Sequence, residues 1–299
     1  MARYGLPWQG SKSRIAEWVI DVLPPSHTLV DLFAGGGAIT HCALLSGKWE
    51  HIIANDMTDS MKVFADAARG EFSGYVTVAT REEFMQGGDT ALRLLYSFGN
   101  NRTSYAFGAD IEPIKVAASR MVSAPSMHER RLAYKEFCDA LSAYLAGKTR
   151  EDAAHLLTKE HEGGGNTGLG HLSNITGLER LQGLQGLQGL ERLQGMQGDY
   201  RLVDIPEGAT VYADPPYRGT ASSSQYGEFD FNAFDMWLGG VDFPVFVSEF
   251  DAPAGCVEIA STERVTSMAA NSTDKRTERI FVQERFYGQC KIPTLFDMG

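Results

Sequence analysis

Apolar residues along the chain fall into short runs separated by glycines, prolines and charged clusters, and the spacing within each run predicts its element. In S-R-I-A-E-W-V-I-D-V-L the apolar positions share one face of a helix, which Pro24-Pro25 stops. The continuous run H-T-L-V-D-L-F has the length and composition of a buried strand. It leads directly into A-G-G-G-A-I-T-H-C-A-L-L, a glycine turn that opens a helix. A second short strand, E-H-I-I-A-N-D, occupies residues 50–56, and residues 57–68 are helical in pattern. Strand, glycine turn, helix and a strand ending in an acid form the order of a nucleotide-binding α/β unit.

From about Arg81 to Lys159 the pattern is mainly helical, interrupted by the aromatic and polar piece S-F-G-N-N-R-T-S-Y-A-F-G. Strand signals vanish there, which predicts an inserted helical domain, and H-E-G-G-G-N-T-G-L-G-H then marks a loop. A repeat follows in which Ile175, Leu178, Leu181, Leu184, Leu187, Leu190, Leu193 and Met196 recur every three residues. On an α-helix such a series circles the whole surface, so an amphipathic α-helix is excluded. A polyproline II or 3₁₀ path fits the period better, although repeated glycines oppose any helix. Either an arm packing its leucine edge or a tolerated expansion in a linker accounts for it. From Tyr200 onward strands return in T-V-Y-A-D, F-P-V-F-V-S-E-F, C-V-E-I-A and R-I-F-V-Q-E-R-F-Y, a tail able to close a sheet with an antiparallel hairpin.

Composition narrows the class. A chain of 299 residues with 43% apolar residues can bury a full core. No run approaches the roughly 18 apolar residues of a membrane span, and M-A-R-Y-G-L-P-W lacks a signal-peptide core, so a cytoplasmic protein is expected. Cys42, Cys138, Cys256 and Cys290 are scattered, and with no C-x-x-C or H-x-x-x-H pair neither a disulfide framework nor a metal site is expected. The net charge of −11 argues against nonspecific attraction to nucleic acid. Residues 98–150 run the other way, with eight basic residues and five acids, an asymmetry that a solvated helical face explains equally well.

Two stretches carry candidate chemistry. After the first strand, Gly35, Gly36 and Gly37 let the backbone approach a ligand closely, and Asp56 at the end of the second strand is placed to accept hydrogen bonds from ribose hydroxyls or to cap the next helix. In T-V-Y-A-D-P-P-Y-R-G, Pro215 and Pro216 cannot continue a central strand, so pairing ends at Asp214. The rigid prolines leave carbonyls without local partners. A planar amino group offers two N–H donors, which a carboxylate and a backbone carbonyl would satisfy while Tyr217 stacks on its ring; a turn acid is the bland alternative for Asp214. Ser248, Glu249 and Phe250 end the following strand beside the same crevice.

The Asp-Pro-Pro-Tyr sequence resembles the catalytic motif of the amino-group DNA methyltransferases, and further pieces resemble the DNA adenine methylase family, the D12 class, in order. Trp8-Gln-Gly10-Ser-Lys12 is similar to its W-x-G-G-K motif, with Ser11 departing from the second glycine. Phe33-Ala-Gly35-Gly-Gly37 resembles its F-x-G-x-G loop, and Ile53-Ala-Asn-Asp56 its second acidic motif. Asn101-Arg102 with Phe107-Gly108 more loosely resembles elements of its target-recognition domain, while residues 120–198 carry no matching motif.

The resemblance implies a class I S-adenosylmethionine-dependent methyltransferase fold, Rossmann-like, with a mostly parallel sheet and an antiparallel hairpin. The catalytic domain would be residues 1–85 and 199–299, the mainly helical target-recognition insert 86–174, and the Leu-Gln-Gly connector 175–198. S-adenosylmethionine would be the methyl donor, held by Trp8, Lys12, Phe33, Gly35, Gly37, Asp56, Asp199 and Tyr200, although Tyr200 fits ordinary core equally well. Asp214, Pro215, Pro216 and Tyr217 would be catalytic on a flipped-out adenine. Asn101, Arg102 and Lys115 would contact double-stranded DNA, with a structural turn the alternative for the first two. A solitary methylase, monomeric or weakly dimeric, of phage or restriction-modification origin and without metal or membrane, completes the expectation. Cytosine N4, an RNA base or protein glutamine is the alternative acceptor, and a non-catalytic DNA-binding module the alternative class.

Overall fold

The computed structural model describes residues 4–74, 77–87, 90–146, 148, 181, 183–218, 229–265 and 275–289. They divide into two compact units. One takes the chain up to Ala65 and most of it from Gly186 onward; the other takes Asp66–Gln185.

The first unit is an α/β structure around a seven-stranded sheet. Its strands are β1 (Thr28–Asp31), β2 (His51–Asp56), β3 (Leu193–Gln197), β4 (Thr210–Ala213), β5 (Val245–Glu249), β6 (Cys256–Val265) and β7 (Lys275–Gln283), in the order β3-β2-β1-β4-β5-β7-β6. The first five strands in this order pair in parallel, and β7 runs antiparallel to both β5 and β6. Every residue of β1, β4 and β5 is buried, because both faces of these strands are covered. Helices α1 (Ala16–Val22), α2 (Ala38–Ser46) and α3 (Ser60–Arg69) follow the predicted pattern closely. A further helix, Phe231–Gly240, starts at Asp230, whose carboxylate accepts the Ala233 N–H at 2.9 Å. Its Phe234 and Leu238 join Val30, Val211, Val245 and Val247 in the core on one sheet face.

Among its described residues the triplet repeat departs from both expected paths: Leu190–Arg192 forms a short 3₁₀ turn, and Leu193–Gln197 then becomes β3 and pairs with β2 from Ile52↔Leu193 to Asp56↔Gln197. Strands therefore resume before Tyr200, inside the segment assigned to a connector. The reason is tertiary: β2 supplies the hydrogen bonds and Met196 packs on the core, so a weak strand former becomes an edge strand. Arg192, which breaks the glycine series, donates to the carbonyls of Leu44 at 2.5 Å and Trp49 at 3.0 Å, near the end of α2.

The second unit is mainly helical among its described residues. It contains α4 (Arg81–Gln86), α5 (Thr90–Leu95), α6 (Glu112–Ser123) and α7 (Met127–Leu145), and the Phe231–Gly240 helix of the first unit is accordingly α8. Val78, Phe84, Tyr96, Tyr105, Phe107 and Val116 form its own core. Leu181 and Leu184, also from the repeat, belong to this unit and are buried.

Candidate active site

Between β1 and β4 the strand order changes direction, and in open α/β sheets the crevice beyond the carboxyl ends of the strands at such a point takes the ligand. Four parallel strands deliver an acid to that edge: Asp31 ends β1, Asp56 ends β2, Asp214 follows β4 and Glu249 ends β5. Asp31, Asp56 and Glu249 are all buried. Burial, with the charges of Asp214 and Asp56 adding, pushes the Asp31 carboxyl up to about 7; the Thr40 hydroxyl, donating at 2.8 Å, opposes this. Burial likewise raises Glu249 to about 7, against the N–H groups of Phe250 at 2.8 Å and Arg218 at 3.1 Å.

The glycine loop between β1 and α2 is shaped by close approach. Gly35 and Gly37 have φ of 52° and 72°, in the left-handed region that side chains disfavour. A Cβ at Gly35 would lie 2.9 Å from Nε1 of Trp8, and one at Gly37 would lie 2.9 Å from the Phe64 ring. The N-terminal segment thus lies along the loop, pinned by the Leu6 N–H to the Gly36 carbonyl at 2.7 Å. Asp56 latches the loop from the other side: its Oδ2 accepts the Gly35 N–H at 2.9 Å, and its Oδ1 accepts the N–H and hydroxyl of Thr58 at 2.9 and 2.6 Å. It is not the cap residue of α3, which begins at Ser60.

Asp214, Pro215, Pro216 and Tyr217 form the turn after β4. Lys12, brought in by the N-terminal segment, places Nζ 2.8 Å from Asp214 Oδ1 and 4.4 Å from the Tyr217 ring centroid. Both partners are mostly buried, with side chains 7% and 17% exposed. Burial raises the Asp214 carboxyl above its ordinary range, and the adjacent Lys12 ammonium opposes that rise. The Tyr217 hydroxyl donates to Glu278 Oε2 at 2.8 Å, and its ring meets Phe250 edge-on at 4.5 Å. Burial and the charges of Asp214 and Glu278 hold the phenol well above its usual range. Glu278 of β7 was missed in the sequence because E-R within K-R-T-E-R-I-F-V-Q resembles the solvated end of a hairpin. The signal that would have found it is its two-residue phase with Ile280 and Val282, both fully buried.

Phe33, Tyr200, Phe229, Phe234 and Trp237 form an aromatic cluster beside the same strand ends, with Phe33 and Tyr200 4.9 Å apart. Asp199 pairs with Arg201, whose hydrogen bonds lower its carboxyl. The remaining three sequence candidates lie in the second unit. Asn101 Oδ1 accepts the N–H groups of Thr103 and Ser104, each at 2.9 Å, and so caps its own turn. Arg102 has φ of 61°, is buried and gives its N–H to Ser97 Oγ at 2.8 Å. Lys115 is buried within α6, and burial lowers its ammonium pKa. Among the described residues no cluster of three or more metal-ligating side chains occurs, and no helix is long and apolar enough to cross a membrane.

The residues fit a polar nucleoside-bearing cofactor by one sign: Asp31 Oδ1 and Asn55 Oδ1 are buried at the strand ends without a hydrogen-bond partner. This mostly parallel sheet, with β7 inserted antiparallel beside β5 and acids at its carboxyl edge, is the fold of the class I methyltransferases. Residues 8–98 match the family of D12 class N6 adenine-specific DNA methyltransferases, a match spanning the Trp8–Lys12 segment, the glycine loop and Asp56. The matched family is one of enzymes that methylate adenine in DNA. No curated protein matches the chain.

Proposed function

We propose that the protein transfers a methyl group from S-adenosylmethionine to the N6 amino group of an adenine flipped out of double-stranded DNA. The observation that carries this is Asp214-Pro215-Pro216-Tyr217 at the switch point of the sheet, with Lys12 on the carboxylate and on the ring face. Trp8, Lys12, the Phe33–Gly37 loop, Asp56, Asp199 and Tyr200 would hold the cofactor, which supplies a methyl group on a positively charged sulfur.

The chain's own contribution is positional and electrostatic. Asp214 and the Pro215 carbonyl accept the two amino hydrogens, which draws the nitrogen lone pair out of conjugation and aims it at the methyl carbon. Positive charge developing on the nitrogen as it takes the methyl group from sulfur would be stabilised by Asp214 and the Tyr217 face. The surplus proton leaves to Asp214 or to water. Extruding the adenine costs roughly a few kcal/mol, offset by stacking on Tyr217 worth about 1–3 kcal/mol. Lys12 must yield its place beside Asp214 as the amino group arrives. In the second unit Asn101 and Arg102 would serve DNA binding by holding their turn and Lys115 by holding α6, since Arg102 and Lys115 are buried.

The test is incubation of the protein with DNA and labelled S-adenosylmethionine, followed by mass spectrometry of the nucleosides. N6-methyladenosine of the deoxy series is expected from wild type, and at least about 10²-fold less from Asp214→Ala. Methylcytosine, or label confined to protein, would overturn the proposal.

A further inference from the structure

The backbone does not fix the orientation of Tyr217, since its ring can rotate about two side-chain torsions. Its hydroxyl ends on Glu278 Oε2 at 2.8 Å, and Glu278 is 3% exposed on β7. The position of β7 explains how a carboxylate so far along the chain reaches the turn: β7 lies antiparallel beside β5, with Ser248 opposite Ile280 and Glu249 opposite Arg279. The next residue, Glu278, therefore projects beyond the carboxyl end of β5, where the turn after β4 lies.

We propose that Glu278 is a positioning residue for methyl transfer: by accepting the Tyr217 hydroxyl it fixes the ring so that one face is presented to the cationic nitrogen formed in the reaction. This rests on the methyltransferase function proposed above. Three observations converge on it. The Lys12 ammonium, 4.4 Å from the ring centroid, shows that the presented face already receives a cation beside Asp214. Phe250 closes one edge of the ring at 4.5 Å in a perpendicular contact, so the hydrogen bond and this contact together define the ring plane. A buried carboxylate as acceptor also keeps electron density on the phenol, which strengthens the attraction of its face for positive charge. In this arrangement Lys12 occupies the place that the reacting amino group takes over, and Glu278 keeps the ring in position during the exchange.

The experiment uses the full chain with four variants: Y217F, E278L, E278Q and Y217F/E278L. The side-chain amide in E278Q still offers a carbonyl oxygen to the hydroxyl, whereas the side chain in E278L offers no acceptor. Steady-state methyl transfer to mixed-sequence DNA is expected to show kcat about ten-fold lower in Y217F and in E278L, with KM for S-adenosylmethionine unchanged. The double variant should be no slower than either single one, and E278Q should stay within about three-fold of wild type. In parallel, ring-carbon NMR of ¹³C-tyrosine protein, with the Tyr217 signal assigned by its loss in Y217F, should shift in E278L far more than in E278Q. Multiplying effects in the double variant, or a Tyr217 signal indifferent to residue 278, would overturn the proposal. If E278L does not fold, a Y217F enzyme as fast as wild type has the same consequence. Absence of transfer by wild type together with the expected NMR shifts would instead overturn the function and leave Glu278 as the anchor of Tyr217.

Discussion

A carboxylate that is to grip an uncharged amino group must wait ionised inside a pocket that disfavours charge, and at Asp214 the adjacent Lys12 reconciles the two until the amino group takes its place. Burial raises the Asp214 carboxyl and the ammonium 2.8 Å away opposes the rise. Removing that ammonium in Lys12→Met leaves the burial effect unopposed, so the acidic limb of the kcat/KM profile, which reports the free enzyme, should move to higher pH; a limb that stays put would show that Asp214 is held ionised by something else. Asp31 gives the complementary experiment. Its folded carboxyl is raised from 3.8 to about 7, so the folded state keeps a proton that the unfolded state has lost. Stability is fully present below about pH 4, falls as pH rises towards 7 and is flat beyond, a loss of a few kcal/mol at most at 1.36 kcal/mol per unit. Asp31→Asn should flatten that decline in urea titrations between pH 4 and 8, and an unchanged slope would count against the burial account. At this scale the sequence was legible where chemistry and backbone coincide, as in Asp214-Pro215-Pro216-Tyr217. At Glu278 it was legible only through the two-residue phase with Ile280 and Val282, and which partner the carboxylate meets depends on the strands packed beside it.

Among the elements, β3 is the informative case. Residues 177–186 read G-L-E-R-L-Q-G-L-Q-G and residues 189–198 read G-L-E-R-L-Q-G-M-Q-G, nearly the same sequence. In the second tract Leu193–Gln197 is a strand beside β2, whereas Leu181 and Leu184 of the first belong to the other unit and are buried. Local sequence thus does not determine the structure of this repeat; the neighbour does. That is why a period of three, read in isolation, suggested a polyproline or 3₁₀ path. Gly195 matters for packing, since a Cβ there would lie 3.1 Å from the Met61 Cβ on α3. Arg192 fixes the start of the strand through its two carbonyl contacts. Arg192→Ala should therefore cost about 1–2 kcal/mol in urea unfolding and should increase amide exchange in residues 193–197 specifically. Loss of stability without that local change would place the role of Arg192 elsewhere. The buried strands β1, β4 and β5 were legible by contrast, because continuous apolar runs between turn signals carry their own evidence of burial on two faces.

For the whole molecule, the charge balance poses the main physical question: a protein of net −11 is proposed to act on a polyanion. Attraction must come from local cation density, because counterions are released only where Lys or Arg meets phosphate. The sequence locates that density in residues 98–150, but it does not distinguish buried from exposed cations. The structure does, and it changes the candidates. Arg102 and Lys115 are buried, whereas Arg130 and Arg131 at the start of α7 are exposed, beside a hollow of about 500 Å³ shared with Met121, Val122 and Tyr134. Two adjacent exposed guanidinium groups on one helix suit phosphate contacts, which position a duplex without reading it. The double substitution Arg130→Glu/Arg131→Glu should therefore weaken binding to DNA of every sequence by a similar factor and lower the slope of log K against log salt by about 2. Its kcat at saturating DNA should stay near that of wild type, since neither residue belongs to the strand-end site. A salt slope equal to wild type would show that α7 does not face the duplex. A change confined to particular DNA sequences would show that these arginines read bases, a role that neither the charge pattern nor the apolar hollow beside them predicts.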